Sequence, residues 1–380
     1  MPQPLNILHL HSSFNLGGKE ARAVRLMNLF GDRARHTIVS GVPGETGARE
    51  AIAKGISYEI AQNPPPLTGR PSVDRYQAIA RYMQRFDLVL TYNWGAIDGV
   101  MARRVFTKGQ PGLVHHEDGF NADEARGLKR ERNYYRRVAL GAADALVVPS
   151  QTLEAIALNV WKQPRGRVHR IANGIDTARY LVAPSARAIP GFRAAKDKGE
   201  VVIGTLAGLR AVKDLPMLVR AAAGVSARVR LVIVGEGPER AAIQAAAMAM
   251  GMADRLVLPG FLADPARYVG LFDIFALSSL SEQFPISVVE AMAAGLPVAA
   301  PPVGDVPLML SDENRRFLPG ERHEVLLRDL LQQLAADPAL RATLGAANRL
   351  KAQAEYDEAQ MVAAYATLYE SVARRPGALK

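Results

Sequence analysis

Short apolar runs recur along the chain, set apart by segments of helix length whose apolar residues form one face. Runs at 5–11, 36–41, 57–61, 87–92, 112–115, 145–149 and 168–171 predict strands in the first half. Runs at 201–206, 230–234, 256–259, 274–277 and 297–300 predict strands in the second. Strand–helix alternation implies right-handed crossovers and parallel sheets. The stretch 180–200, YLVAPSARAIPGFRAAKDKGE, has no clean period and is rich in Pro, Gly and charge, so it reads as a linker. At 380 residues the chain exceeds what one core usually fills.

The expected fold class is α/β, with two doubly wound Rossmann-like domains facing a central cleft. Their boundaries are 1–182 and 200–357, joined by the linker 183–199. A last helical pattern, 358–373, lies beyond the second alternation and is expected to pack back on the first domain. A ligand would lie in the cleft, at the carboxyl ends of the strands.

Composition is that of a globular protein, 49% apolar and 22% charged. The absence of cysteine excludes disulfides, thiolate metal sites and thiol nucleophiles. It fits a cytoplasmic location, as does an N-terminus (MPQPLNILHLHSS) without a signal-peptide pattern. No apolar run approaches the roughly 20 residues of a membrane span.

Charge is uneven. Residues 1–180 hold 25 Lys and Arg against 16 Asp and Glu, and the remainder holds 22 against 21. Arg103, Arg104, Arg126, Lys129, Arg130, Arg132, Arg136 and Arg137 form the densest part. Such a half suits an acidic substrate, peripheral contact with the anionic inner face of a membrane, or plain solvation. No nucleic-acid motif or interleaved aromatic pattern accompanies it, so nucleic acid is not an expected partner.

Candidate chemistry lies at the predicted loops. In SEQFPISVVEAMAAGLPVAAP (281–301), Pro285 disfavours helix before it and suits a helix beginning just after it. Glu282 is then a loop acid able to accept from sugar hydroxyls, and Glu290 a helical acid able to hold a ribose pair. The amides of Phe284, Ile286, Ser287 and Val288 open the helix and can meet phosphate. GLRAVKD (208–214) follows a strand, and Arg210 and Lys213 there make a natural diphosphate clamp behind Gly208. NLGG (15–18) brings Gly17 and Gly18 to a helix start, where backbone amides approach phosphate. VGEGPER (234–240) mimics part of a dinucleotide fingerprint but lacks its third glycine, and reads as a tight turn. LVHHEDGF (113–120) suggests a metal site at first sight. Adjacent histidines point apart on a strand, however, and Glu117 and Asp118 have no spaced partner histidine.

GLRAVKD followed by SEQFPISVVEAMAAGLPV resembles the retaining glycosyltransferases of family four, also called group one, with the GT-B fold. The early Gly-Gly and NGID (173–176) support the likeness across nearly the whole chain. The resemblance implies that Arg210 and Lys213 bind the donor diphosphate, Glu282 touches the donor sugar and Glu290 holds the ribose. Gly18 would approach the phosphate from the first, acceptor-side domain. A histidine at the end of the fifth strand would stand beside the sugar; His115, His116 and Asp118 all remain candidates. The family commonly has glycine after each of Glu282 and Phe284, where this chain has Gln283 and Pro285. That reduces backbone freedom near the sugar.

The implied function is transfer of a sugar from a nucleotide-sugar, a UDP-sugar first and GDP-mannose second, to a glycan or lipid-linked hydroxyl acceptor. Cell-surface polysaccharide or glycolipid synthesis is the expected setting. No cofactor or metal is expected, since two fixed cations replace a divalent ion. The rivals are a nucleotide-sugar epimerase of the same plan and a non-catalytic nucleotide-sugar-binding module. A dehydrogenase would rest on VGEGPER alone.

Overall fold

Seven parallel strands build the first sheet: β1 (Leu5–His11), β2 (Ala34–Ser40), β3 (Tyr58–Ile60), β4 (Leu88–Tyr92), β5 (Gly112–His116), β6 (Ala145–Val148) and β7 (Val168–Arg170). Their order is β3-β2-β1-β4-β5-β6-β7. The chain steps outward from β1 to β3 and then returns to β4 on the other side of β1. The order therefore reverses between β1 and β4, the place where open parallel sheets bind ligands. The computed structural model describes residues 3–120, 124, 127–192 and 199–380.

Alternate side chains feed two apolar layers. Leu5, Ile7, Leu88 and Leu90 face one, and Leu8, Leu10 and Val89 face the other. Met361, Tyr365 and Tyr369 of the helix Glu358–Ala373 complete the first layer. By compactness the first unit comprises Met1–Asn173 and Met361–Lys380, and the second Gly174–Gln360.

The second sheet has five parallel strands: β8 (Val201–Leu206), β9 (Val229–Val234), β10 (Leu256–Gly260), β11 (Ile274–Ala276) and β12 (Val298–Ala299). Their order, β10-β9-β8-β11-β12, reverses between β8 and β11. Most of these strands are buried on both faces and so read as near-continuous apolar runs, although β3 at the sheet edge exposes Tyr58 and Glu59.

The first unit ends at Asn173 rather than at 182, for a physical reason. The turn Thr177–Leu181 is bonded into the second unit. Thr177 Oγ1 donates to Asp357 at 2.6 Å, Arg179 pairs with Asp264 at 2.7 Å, and the Tyr180 hydroxyl bonds Glu290. Within the predicted linker, Ser185 N donates to Arg267 O at 2.8 Å, and 193–198 lie outside the described residues.

Candidate functional site

The loops leaving β8 and β11 are bonded to each other. Leu280 N donates to Val212 O at 2.8 Å, and Ser278 Oγ to Lys213 O at 2.9 Å. Lys213 Nζ reaches Glu282 Oε1 at 2.5 Å, and Ser279 Oγ donates to the same oxygen at 2.7 Å. Arg322 ties the assembly from behind, pairing with Asp214 and donating from Nε to Ser278 O at 3.1 Å. Asp214 takes the left-handed conformation (φ 43°) that turns the chain from Lys213 into the helix Leu215–Ala223. A short polar side chain tolerates this better than a branched one.

Arg210 is exposed, and its guanidinium bonds to no described residue. Gly208 lies beside it in the same loop, also exposed. The helix Ile286–Ala293 begins directly after Pro285 and has no side-chain cap. The amides of Ile286 and Ser287 donate to no described group, and that of Val288 donates to Pro285 O at 3.0 Å. This loop therefore offers one unpaired cation, one cation shared with a carboxylate, and the positive end of a helix. Phe284 is turned from it, packing edge-on against Tyr356.

Glu290 has a different partner. It is half-buried on the helix, and desolvation pushes its carboxyl up to about 7, an effect opposed by the hydrogen bond from Tyr180. A carboxyl so tuned changes charge near neutrality.

Glycines set these loops. The glycines of VGEGPER let two backbones touch: a Cβ on Gly237 (φ 154°) would sit 2.4 Å from Leu209 O, behind the clamp loop. Gly304 does the same for the acid loop, where a Cβ would fall 2.0 Å from Glu282 O. Ser279, Gly304, Arg322 and Tyr180 lie outside the motifs that mark the site in sequence. The one signal for them was the small-polar run Ser278–Ser279 at a strand end.

In the first unit the loop after β1 opens the helix Gly18–Phe30, with Gly17 at its N-cap. A Cβ on Gly17 would lie 2.9 Å from Glu20 Oε2, so glycine makes room for the buried Glu20, which pairs with half-buried Lys19. Arg22 is buried, donating to Asp118 Oδ2 at 2.9 Å and Asn173 Oδ1 at 3.0 Å.

The two strand-end histidines are interior groups. His115 is 0% exposed and His116 1%. His115 Nδ1 lies 2.8 Å from Thr91 Oγ1, and its Nε2 lies 3.7 Å from Glu117. His116 Nδ1 donates to Thr91 O at 3.2 Å, so its Nε2 accepts from Tyr369 at 2.8 Å. They occupy a central strand whose side chains enter the two layers in turn, and neither ring is left open to a ligand. Asp118, just past the strand, keeps a side chain 14% exposed. No group of three or more His, Asp or Glu suited to a metal occurs among the described residues.

The arginine-rich segment is not the solvated patch that its charge suggests. Arg136 is 0% exposed and bonds both Glu124 oxygens at 3.1 Å. Trp94, Phe120 and Trp161 surround it at 5.1, 5.2 and 5.3 Å from their ring centres. Arg132 also pairs with Glu124, at 3.0 Å. Arg130 and Arg137 remain exposed, and Arg126 lies outside the described residues. No described helix is long and apolar enough to cross a membrane.

Family models match both units: Glycosyltransferase Family 4 over residues 7–179 and Glycosyl transferases group 1 over 200–337. A GDP-mannose-dependent alpha-mannosyltransferase of Mycobacterium tuberculosis is 36% identical over 170 residues, covering 43% of this chain and 40% of that protein. The N-acetyl-alpha-D-glucosaminyl L-malate synthase of Bacillus anthracis is 26% identical over 214 residues, 56% of each. The matches thus span about half the length of these relatives. Among solved structures, Anabaena HepE in complex with UDP has a TM-score of 0.76 at 20% identity, over 97% of this chain and 100% of that one. Sucrose-phosphate synthase from Thermosynechococcus elongatus has 0.74 at 21%, over 97% and 99%.

Proposed function

The chain belongs to the group 1, family 4 glycosyltransferases with the GT-B fold, and from that premise we propose that it moves a sugar from a nucleotide-sugar to a hydroxyl acceptor with retention of configuration. The observation that carries this reading is the Lys213–Glu282 pair beside an uncapped helix start, with Arg210 exposed in the same loop as Lys213, at the strand-order reversal of the second sheet. Two cations and helix amides suit a diphosphate; a carboxylate beside them suits a sugar hydroxyl.

In the proposed reaction the bond from the anomeric carbon to the leaving phosphate oxygen breaks. The acceptor oxygen bonds that carbon on the same face, and its proton passes to the departing diphosphate. Arg210, Lys213 and the amides of Ile286 and Ser287 stabilise the charge that develops on the diphosphate, as preorganised donors do. No metal ion is assigned a part. Glu290 would hold the ribose and Glu282 the sugar. In the first unit Gly18 would approach the phosphates, and Asp118, more open than His115 or His116, is the better placed to meet a ligand.

A UDP-sugar is the first donor to test and GDP-mannose the second. HepE is described with UDP, and the mycobacterial relative is named for GDP-mannose. A glycan or lipid-linked saccharide is the proposed acceptor, and an anionic membrane could be met through Arg130 and Arg137, which co-sedimentation with vesicles checks. Incubation with a panel of nucleotide-sugars, with and without acceptors, tests the activity. Acceptor-dependent release of nucleotide supports transfer; a new sugar without acceptor would identify an epimerase; neither outcome would leave a binding module.

A further inference from the structure

Glu282 is doubly engaged through one oxygen. Oε1 accepts from Lys213 Nζ and from Ser279 Oγ, while Oε2 accepts from no described residue. The two donors differ in mobility. Ser279 is 1% exposed, and its neighbours Ser278 and Leu280 are bonded to the clamp loop, so its hydroxyl is fixed. Lys213 is a long side chain, 16% exposed, with a compact charge that can turn to another anion.

We propose that Ser279 is a positioning residue that holds Glu282 in place while a donor diphosphate takes Lys213 from it. This rests on the reading of the chain as a nucleotide-sugar transferase. A diphosphate offers more charge and more oxygens to the ammonium than one carboxylate does. Breaking the resident ion pair subtracts from diphosphate affinity. It also frees the carboxylate, still held on Ser279, to accept from the sugar. Recognition of the phosphates and of the sugar is thereby coupled through a single exchange of partners.

The consequence runs against intuition: removing an acid from the donor site tightens nucleotide binding. Calorimetric titration of UDP, GDP, ADP and inorganic pyrophosphate into wild type, Glu282→Gln, Lys213→Ala and the double variant tests it. Glu282→Gln should bind the preferred diphosphate about 3- to 10-fold tighter, the scale of a partly screened charge pair. That gain should vanish in the Lys213→Ala background. Ser279→Ala should keep diphosphate affinity within about 2-fold yet lower kcat about 10-fold with KM little changed, since the loss falls after diphosphate binding. Equal or weaker diphosphate binding by Glu282→Gln would overturn the exchange. So would a gain that survives without Lys213, which would show simple long-range repulsion. Unchanged kcat in Ser279→Ala would overturn the positioning role. If no probe binds wild type or any variant, the nucleotide-sugar reading itself falls, and the exchange with it.

Discussion

His116 Nε2 and the Tyr369 hydroxyl meet at 2.8 Å although 253 positions separate them in the chain. The bond fastens the helix Glu358–Ala373 to the central strand β5 inside the first unit. Because His116 Nδ1 donates to Thr91 O, Nε2 is left as an acceptor that, among the described residues, Tyr369 alone supplies with a proton. Tyr369→Phe should therefore strand a buried nitrogen and cost about 1–3 kcal/mol. A drop in the urea midpoint, with the m-value unchanged, checks this.

Acid should unfold the first unit early. Burial holds His9, His11 and His116 well below the usual imidazole range, and His36 at about 4. A lowered folded value means that the unfolded chain binds protons first, so stability is full above about 6.5 and falls as pH drops below it. Each such histidine contributes up to about 1.4 kcal/mol per pH unit across that window. Glu290, raised to about 7, has the opposite sign between its unfolded value and 7, but it is one group against several. Urea unfolding should show little change between pH 7.5 and 6.5 and a clear loss at 5.5; a flat profile down to 5.5 would mean that the histidines are charged in the fold.

Arg210→Ala and Lys213→Ala should each lower turnover by roughly 10² or more, as loss of a preorganised charge donor does. Both lie in a loop outside the apolar core, so melting temperatures should stay close to wild type. Near-normal turnover in both would dismiss the diphosphate clamp.

Tyr180 tempers the rise that burial imposes on the Glu290 carboxyl. Its hydrogen bond favours the carboxylate, opposing the burial that pushes the group to about 7. Tyr180→Phe should raise Glu290 further, so that nucleotide binding, which in the proposed role of Glu290 needs the ionised acid to accept ribose hydroxyls, is lost at higher pH than in wild type. UDP titrations from pH 6 to 9 in both proteins measure the displacement, and coincident profiles would remove Tyr180 from the site.

Charge reversal separates the arginines of the first unit. Arg136→Glu should prevent folding or cost several kcal/mol, since it strands Glu124 and Glu117 beside a like charge. Arg130→Glu and Arg137→Glu, both exposed, should alter stability by about 0.5 kcal/mol or less. Equal melting temperatures for all three variants would contradict the buried cage.

Much of the fold was legible because most strands of these parallel sheets are short apolar runs between turns and helices, as at Leu88–Tyr92 and Val201–Leu206. The acids of the candidate site were legible too, since Pro285 dates the start of the helix and so separates Glu282 from Glu290. Their partners were not. Arg322 and Tyr180 act through hydrogen bonds to residues remote in sequence, which no local pattern records, and Ser279, three residues before Glu282, carries no signature of its bond to it. The arginine segment misled for a related reason: a count of charge does not see Trp94, just past β4, and Trp161, just past the helix Gln151–Asn159, which enclose Arg136.

The contact between Gly304 and the Glu282 carbonyl bears on any attempt to redesign the sugar preference. Asp305 N also bonds Gln283 O at 3.2 Å, so the acid loop is moulded on a second segment, past the helix it opens, that never touches substrate in the proposed role. A library that varies the acid loop while leaving 304 and 305 alone would explore side chains on one fixed backbone. Grafting this loop into a relative without the glycine would transplant letters but not shape. Selection for a new sugar is thus expected to recruit changes at both segments together, a coupled pair on either side of the helix Ile286–Ala293.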